Sequence, residues 1–273
     1  MLQQTQAPRV APIYVAFIER FPTVETLAAA SPAEVLRAWA GLGYNRRAVA
    51  LHESARAIVR EHGGRVPADV DSLRRLPGVG PYTAAAVASI GHRLPVAAID
   101  TNVRRLAARV FFGANPEGVE AAALRASVEG WIDVRAPGEW NQALMDLGRE
   151  VCRPLPRCGI CPLRAGCGFR AKAGGSSPMR SARPARRPEE AFEGSRRQLR
   201  GRLVQALRER PSATLAQLTA ATGRPLDRVA AAVSSLASEG LVRGGPAALH
   251  GRAAGRVRLP DRPSGQAAIP WRS

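Results

Sequence analysis

Residues 1 to 150 predict an all-α fold, because apolar residues recur there at helical spacing between capping residues and the alternating pattern of half-buried strands is missing. A four-cysteine loop and a proline- and arginine-rich stretch then separate this half from a small C-terminal module. In "VAPIYVAFIERF", Val10, Ile13, Phe17 and Phe21 form one apolar stripe that Pro22 closes. "SPAEVLRAWAGLG" opens at Ser31 as an N-cap, with proline at the first helical position, and stops at glycine. Further helices are expected at 45–64, 69–76, 82–91, 102–111 and 139–151.

A domain is expected over 1–168, followed by a flexible basic linker over 169–197, low in apolar residues and rich in proline, glycine, serine and arginine. Residues 198–260 hold three short amphipathic helices and a possible β-hairpin at "LHGRAAGRVRLP", which together resemble a winged helix. The tail 261–273 reads as disordered. The length of 273 residues suits one large and one small domain.

Forty Lys and Arg against 22 Asp and Glu leave a formal charge of +18 and a pI near 11.5, which points to a polyanionic partner such as nucleic acid. No apolar run reaches the roughly 18 residues that span a bilayer, and "MLQQTQAPRV" lacks the features of a signal peptide, so a cytoplasmic, nucleoid-associated monomer is expected. All four cysteines lie between Cys152 and Cys167, a clustering that suits a metal or iron-sulfur site in a reducing compartment better than disulfides.

Two stretches carry chemistry. "LPGVGPYTAAAVASI" turns through Leu76, Gly78, Val79 and Gly80 directly into a helix, and such a bare entrance leaves backbone N–H groups and the positive end of the helix dipole facing outward. With the short helix "DVDSLRRL" before it, the stretch forms a helix-hairpin-helix, a device that grips DNA backbone without reading sequence. Cys152, Cys158, Cys161 and Cys167, spaced x5, x2 and x5, suit a [4Fe–4S] cluster or a structural zinc; the single tight loop favours the cluster. Arg149, Arg153, Arg157 and Arg164 stand around it as candidate phosphate contacts.

"MLQQTQ", "GLGY" at 41–44, "LPGVGPYTA" and "IDTNVRRLAAR", followed by the cysteine loop, resemble the helix-hairpin-helix DNA glycosylases, most closely the A/G-specific adenine glycosylases of the MutY family, over residues 1 to about 170. The resemblance implies a base-excision repair enzyme that hydrolyses the N-glycosidic bond of adenine mispaired with 8-oxoguanine or guanine in double-stranded DNA. It places the catalytic aspartate on Asp100, where a fixed carboxylate would stabilise oxocarbenium charge on the sugar. Asp100 also stands where an aspartate often does no more than cap a helix. Asn102 matches a residue that orients the catalytic groups, and Gln3, Gln4 and Tyr44 match positions that enter the DNA stack or contact the opposite base.

Tyr82 sets the expected reaction type. Related enzymes that also cut the strand place a Schiff-base lysine there, whereas the only lysine here, Lys172, falls in the expected linker. A monofunctional glycosylase is therefore expected.

The sequence departs from the family pattern in three places. The family's general-acid glutamate lies two residues before the methionine of "MLQQTQ", the methionine at which this sequence begins. An upstream segment in the native protein is the expectation, and a lesion-binding protein with little catalysis is the alternative; Glu19, Glu25 and Glu34 match no motif for a substitute acid. The C-terminal module does not resemble the Nudix-like domain that helps many members recognise 8-oxoguanine, which leaves lesion preference open and nonspecific DNA affinity or a partner contact as its expected role; a thymine or uracil mismatch glycosylase on the same scaffold is a separate alternative. Asn45 stands where a second aromatic often follows the tyrosine. Trp39 and Trp131 are expected in the core, and His52, His62, His92 and His250 have no ligand-like spacing.

Overall fold

The structure is a computed structural model that describes residues 1–2, 5–172 and 192–261. The helices of the first part are α1 (Ala7–Arg20), α2 (Val24–Ala29), α3 (Pro32–Ala38), α4 (Arg46–His62), α5 (Val70–Arg75), α6 (Pro81–Ala86), α7 (Thr101–Phe112), α8 (Ala121–Glu129), α9 (Pro137–Asp146) and α10 (Gly168–Lys172). The second part runs α11 (Arg196–Arg208), β1 (Ala213–Thr214), α12 (Leu215–Thr222), α13 (Leu226–Ser238), β2 (Arg243–Gly244), α14 (Pro246–Leu249) and β3 (Arg256–Arg258).

Local chemistry sets most of these boundaries. Ser31 accepts from the Glu34 amide while the Glu34 carboxylate accepts from the Ser31 amide, so this glutamate closes a capping box at α3. α4 ends on Gly63 in the left-handed conformation. α6 and α9 continue into π turns, Val87–Gly91 and Leu147–Val151. α2, α8, α10 and α14 were not expected from the sequence; most of α10 and the start of α11 fall in the stretch 169–197 read as linker, whose residues 173–191, like the tail 262–273, lie outside the described residues. α2 has six residues, too few to display a stripe, and α8 is capped by Glu120, a residue type that carries no cap signal.

β3 lies between β1 and β2, antiparallel to both, with Ala213 opposite Val257 and Arg243 opposite Arg258. Three helices with this small sheet form the winged-helix-like arrangement, but the wing differs from the expected 249–260 hairpin. Its first strand lies earlier and α14 fills the connection, tucked against Gly255, where an added Cβ would come within 2.2 Å of the Ala248 nitrogen.

The compact units cut across the expected 1–168 and 198–260 boundaries. One holds the described residues of Met1–Val66, Leu76–Gly78 and Pro188–Ser273, the other those of Pro67–Arg75 and Val79–Arg187. In the first, a single apolar cluster runs from Val10, Phe17 and Trp39 to Leu203, Leu207, Leu218, Val233 and Val257. The second is built around Val103, Leu106, Leu124, Val128 and Leu144, with Cys152 at its edge. Trp39 is buried as expected, and half-buried Trp131 packs edge-on between Phe111 and Trp140. Among the described residues no helix is long and apolar enough to cross a membrane.

His52 of α4 is buried, with the Ala28 and Ala30 carbonyls near its ring but no well-formed hydrogen bond at either nitrogen. Burial pushes its pKa below the ordinary value. The unfolded chain therefore binds the proton more readily, and the stability fully held above about pH 6.5 is lost progressively as pH falls below that value through the lower folded-state pKa. Replacing His52 with Gln is expected to flatten this loss in urea unfolding followed between neutral and mildly acidic pH. Leu203→Ala, at a fully buried position, is expected to cost about 2–5 kcal/mol. Because the core is shared, hydrogen exchange should then rise in α3 as well as in α11.

Candidate active site and cysteine loop

Asp100 is the N-cap of α7. Its Oδ1 accepts from the amides of Asn102 (2.8 Å) and Val103 (2.7 Å), and its Oδ2 accepts from Asn102 Nδ2 (2.9 Å). Capping and a fixed orientation are thus the same set of bonds. The amide oxygen of Asn102 accepts from Arg105 (3.0 Å), whose guanidinium also donates to the carbonyls of Gly148 (2.6 Å) and Cys152 (2.8 Å). A continuous chain of hydrogen bonds therefore links the carboxylate to the first cysteine of the loop.

Two features outside the sequence reading hold this chain in place. Asn141, buried on α9, accepts from the Ala98 amide (2.8 Å) and donates to Val96 O (2.9 Å), Ser89 Oγ (3.0 Å) and Pro137 O (2.8 Å), which pins the strap leading to Asp100. Gly148 sits in the second π turn, where an added Cβ would lie 2.8 Å from the Asn102 carbonyl oxygen. Only glycine lets the turn come close enough for its carbonyl to meet Arg105. Asn141 carries no distinctive sequence signal, and Gly148 reads in sequence as an ordinary glycine within a helix.

Tyr82 is close enough to Asp100 for the carboxylate charge, together with partial burial, to raise its phenol pKa, burial being the larger cause. Its hydroxyl donates to Met145 Sδ (3.3 Å). The structure thus brings Tyr82, Asp100 and Asn102 together. Lys172 is engaged elsewhere, its Nζ donating to Phe112 O (2.9 Å) at the C-terminus of α7.

The four cysteines form no disulfide and line one hollow together with Leu106, Arg109 and Phe169. Cys152 is buried, which raises its thiol pKa, with Arg109 and Arg105 pulling the other way. Among the described residues no three Cys, His, Asp or Glu side chains form a group suited to one metal ion. Arg109 is fully buried and organises the loop from within: it donates to Arg153 O (2.6 Å), Pro154 O (3.1 Å) and Asn115 Oδ1 (3.1 Å), lies 3.7 Å from Cys152 Sγ, and covers the Phe169 ring. Nothing in the sequence marks it, because it lies on α7, more than 40 residues before the loop it holds. Of the arginines along the loop, Arg149 pairs with Asp146 and Glu150, and Arg164 reaches the Gly159 carbonyl.

In the other unit, Gly78 of the hairpin turn has φ +72° and a Cβ added there would meet Ala50 Cβ at 2.6 Å. Ser54 donates to Pro77 O (2.7 Å), and Leu76 is buried. Gly80, in the same unit as Asp100, N-caps α6 with no side chain over the helix start and open space where a Cβ would stand. Tyr44 is half exposed and holds φ +45°, a left-handed conformation that costs a non-glycine residue on the order of 1 kcal/mol or more. Trp39 Nε1 donates to Gly43 O (3.1 Å), and the Arg47 guanidinium lies over both the Trp39 and Tyr44 rings. Arg47 also donates to Met1 O (3.0 Å) and Thr5 Oγ1 (3.1 Å), drawing the start of the chain to this loop. Gln3 and Gln4 themselves lie outside the described residues.

The family model described as "HhH-GPD superfamily base excision DNA repair protein" matches residues 1–127. An adenine DNA glycosylase of Mycolicibacterium smegmatis is 46% identical over 212 residues, 77% of this chain and 69% of that protein. One of Homo sapiens is 42% identical over 171 residues, 61% of this chain and 31% of that protein. A thermostable thymine-DNA glycosylase superposes with a TM-score of 0.58 at 31% identity, over 63% of this chain and 80% of that one. A trapped endonuclease III–DNA covalent intermediate, at 23% identity and a TM-score of 0.53 over 63% of this chain and 81% of that one, shares the fold. The chain belongs to the adenine DNA glycosylase family within the HhH-GPD superfamily of base excision repair proteins.

Gly148→Ala is expected to force the π turn off Asn102 and destabilise the protein by about 1–3 kcal/mol in urea unfolding. An unchanged midpoint would show that the close approach is dispensable.

Proposed function

We propose that the chain hydrolyses the N-glycosidic bond of adenine paired with 8-oxoguanine or guanine in duplex DNA. The observation that carries this reading is Asp100, both of whose oxygens are oriented by donors while the phenol of Tyr82 lies within reach of its charge. As the C1′–N9 bond breaks, its electron pair leaves with adenine and positive charge develops on the sugar. A carboxylate fixed before the reaction starts stabilises that charge without reorganising. The departing adenine takes up a proton, water adds at C1′ and gives up a proton, and neutral adenine and an abasic site remain.

Gly78, Val79 and Gly80 present the hairpin to the DNA backbone, with Leu76 anchoring the turn, and Tyr44 with Gln3 and Gln4 occupies the stack around the flipped base. Tyr82 in place of a lysine, and Lys172 bound to the end of α7, support a monofunctional reaction without Schiff-base cleavage.

The chemistry of the cysteine loop fits a [4Fe–4S] cluster held by Cys152, Cys158, Cys161 and Cys167. Four thiols supplied by one short loop line a single hollow, as a thiolate-ligated cluster requires. When bound, the cluster would cross-link the loop, while Arg109 and Arg105 hold its backbone from inside.

Single-turnover release of adenine from an 8-oxoguanine:adenine duplex, run on this chain and on an upstream-extended one, is expected to fall at least about 100-fold in Asp100→Asn. Borohydride should trap no covalent adduct. Faster release of thymine from a G:T duplex, or tight binding with no base release by either chain, would overturn the substrate assignment. Iron and sulfide analysis is expected to return four of each per chain, and stoichiometric zinc would exclude the cluster.

A further inference from the structure

Asn45 is the N-cap of α4, yet its side chain makes no capping bond. Asparagine is among the best capping residues, so the omission sets it apart from Thr23, Ser31 and Asp100, which all cap their helices. Its Oδ1 is used otherwise: it accepts from Arg208 Nη2 at 2.8 Å. Arg208 ends α11, 163 residues further along the chain, and its Nε donates to the Leu36 carbonyl at the end of α3 (2.9 Å). Gln205 Oε1 receives a third bond (3.2 Å).

Two neighbouring contacts run in the same direction. Glu239, just past α13, is shared between Arg200 (2.6 Å) and Arg46 (3.6 Å), the residue after Asn45. Pro260 O accepts from the Ala33 amide (2.9 Å). The module thus grips α3 and the start of α4, the two ends of the segment 39–45 that carries Gly41, Gly43 and Tyr44 in left-handed conformations. The two glycines take positive φ without cost, so the strain of this short loop lies at Tyr44, and such strain persists only where its surroundings over-determine it.

We propose that the C-terminal module is a brace for the DNA-facing loop, in which Arg208, through Asn45 and Leu36, is a positioning residue that keeps Tyr44 in its strained, exposed conformation before DNA arrives. This rests on the reading of Tyr44 as a stack-entering residue. It also gives Asn45 a role where the family pattern has an aromatic: a planar acceptor meets a guanidinium supplied by the added module. Losing one hydrogen bond to a charged donor is large enough to release a loop of this length.

The test uses the full chain, duplex DNA with 2-aminopurine in place of the mispaired adenine, and the variants Arg208→Gln, Asn45→Ala, Tyr44→Ala and the double variant Arg208→Gln/Tyr44→Ala. Amide exchange in residues 41–47 should quicken about tenfold in Arg208→Gln and in Asn45→Ala. At saturating protein, the fluorescence gain that reports unstacking should fall in Arg208→Gln toward the Tyr44→Ala value, and the double variant should fall no further. Arg208→Lys, which cannot hold both acceptors as a fork, should be intermediate.

Exchange and fluorescence both at wild-type levels in Arg208→Gln would overturn the brace, as would additive losses in the double variant. If Tyr44→Ala itself leaves the fluorescence unchanged, the reading of Tyr44 fails and loop exchange alone decides the brace. If Arg208→Gln does not fold, Asn45→Ala, which keeps the Leu36 bond, carries the test.

Discussion

The carboxylate of Asp100 is held at the N-terminus of α7, and much of the second unit is arranged around keeping it there. Helix capping supplies two donors without any added device, since the orphan amides of the first turn need an acceptor in any case. A third donor, Asn102, fixes the second oxygen and passes the constraint to Arg105. Arg105 is satisfied by the carbonyls of Gly148 and Cys152, so the cysteine loop and the carboxylate are parts of one hydrogen-bonded assembly. Partly buried guanidiniums are costly to desolvate and remain only where their donors are matched. Arg109, fully buried against the loop carbonyls, follows the same rule.

Departures from regular helix geometry recur where these parts meet. α6 and α9 both widen into π turns; one carries Ser89, bound by Asn141, and the other carries Gly148. Such turns expose a carbonyl that an α-helix would use internally, and they are frequent at functional sites. Glycine is required for reasons of space at Gly78 against Ala50, at Gly148 against Asn102 and at Gly255 against Ala248.

The first unit joins segments far apart in sequence through one apolar cluster, and the C-terminal helices thereby become part of the body that carries Tyr44. The polar contacts laid over that cluster, at Asn45, Leu36, Arg46 and Ala33, all fall at the ends of helices. Helix ends carry unsatisfied backbone groups, which makes them natural points of attachment. A basic module joined in this way adds positive charge to the unit that carries Tyr44 and Leu76–Gly78, and positive charge favours association with a polyanion.

Helix periodicity, caps and glycine stops were legible in the sequence for α1, α3, α4, α7 and the three helices of the C-terminal module, because each rests on contacts within a few residues. The same holds for the hairpin turn, for Asp100 as a cap and for the cysteine spacing. α2, α8 and the true extent of the wing were not legible: six residues show no period, glutamate is not a recognised cap, and a two-residue strand is defined only by its partner. Arg105, Arg109, Asn141 and Arg208 resemble any other polar residue on a helix until the chain folds. The sequence by itself determined which residue types stand at the helix entrances, since capping and turn chemistry are local. Only the tertiary structure decided which distant carbonyls and amides those side chains meet, because a guanidinium or a carboxamide takes its role from the acceptors that packing places within about 3 Å of it.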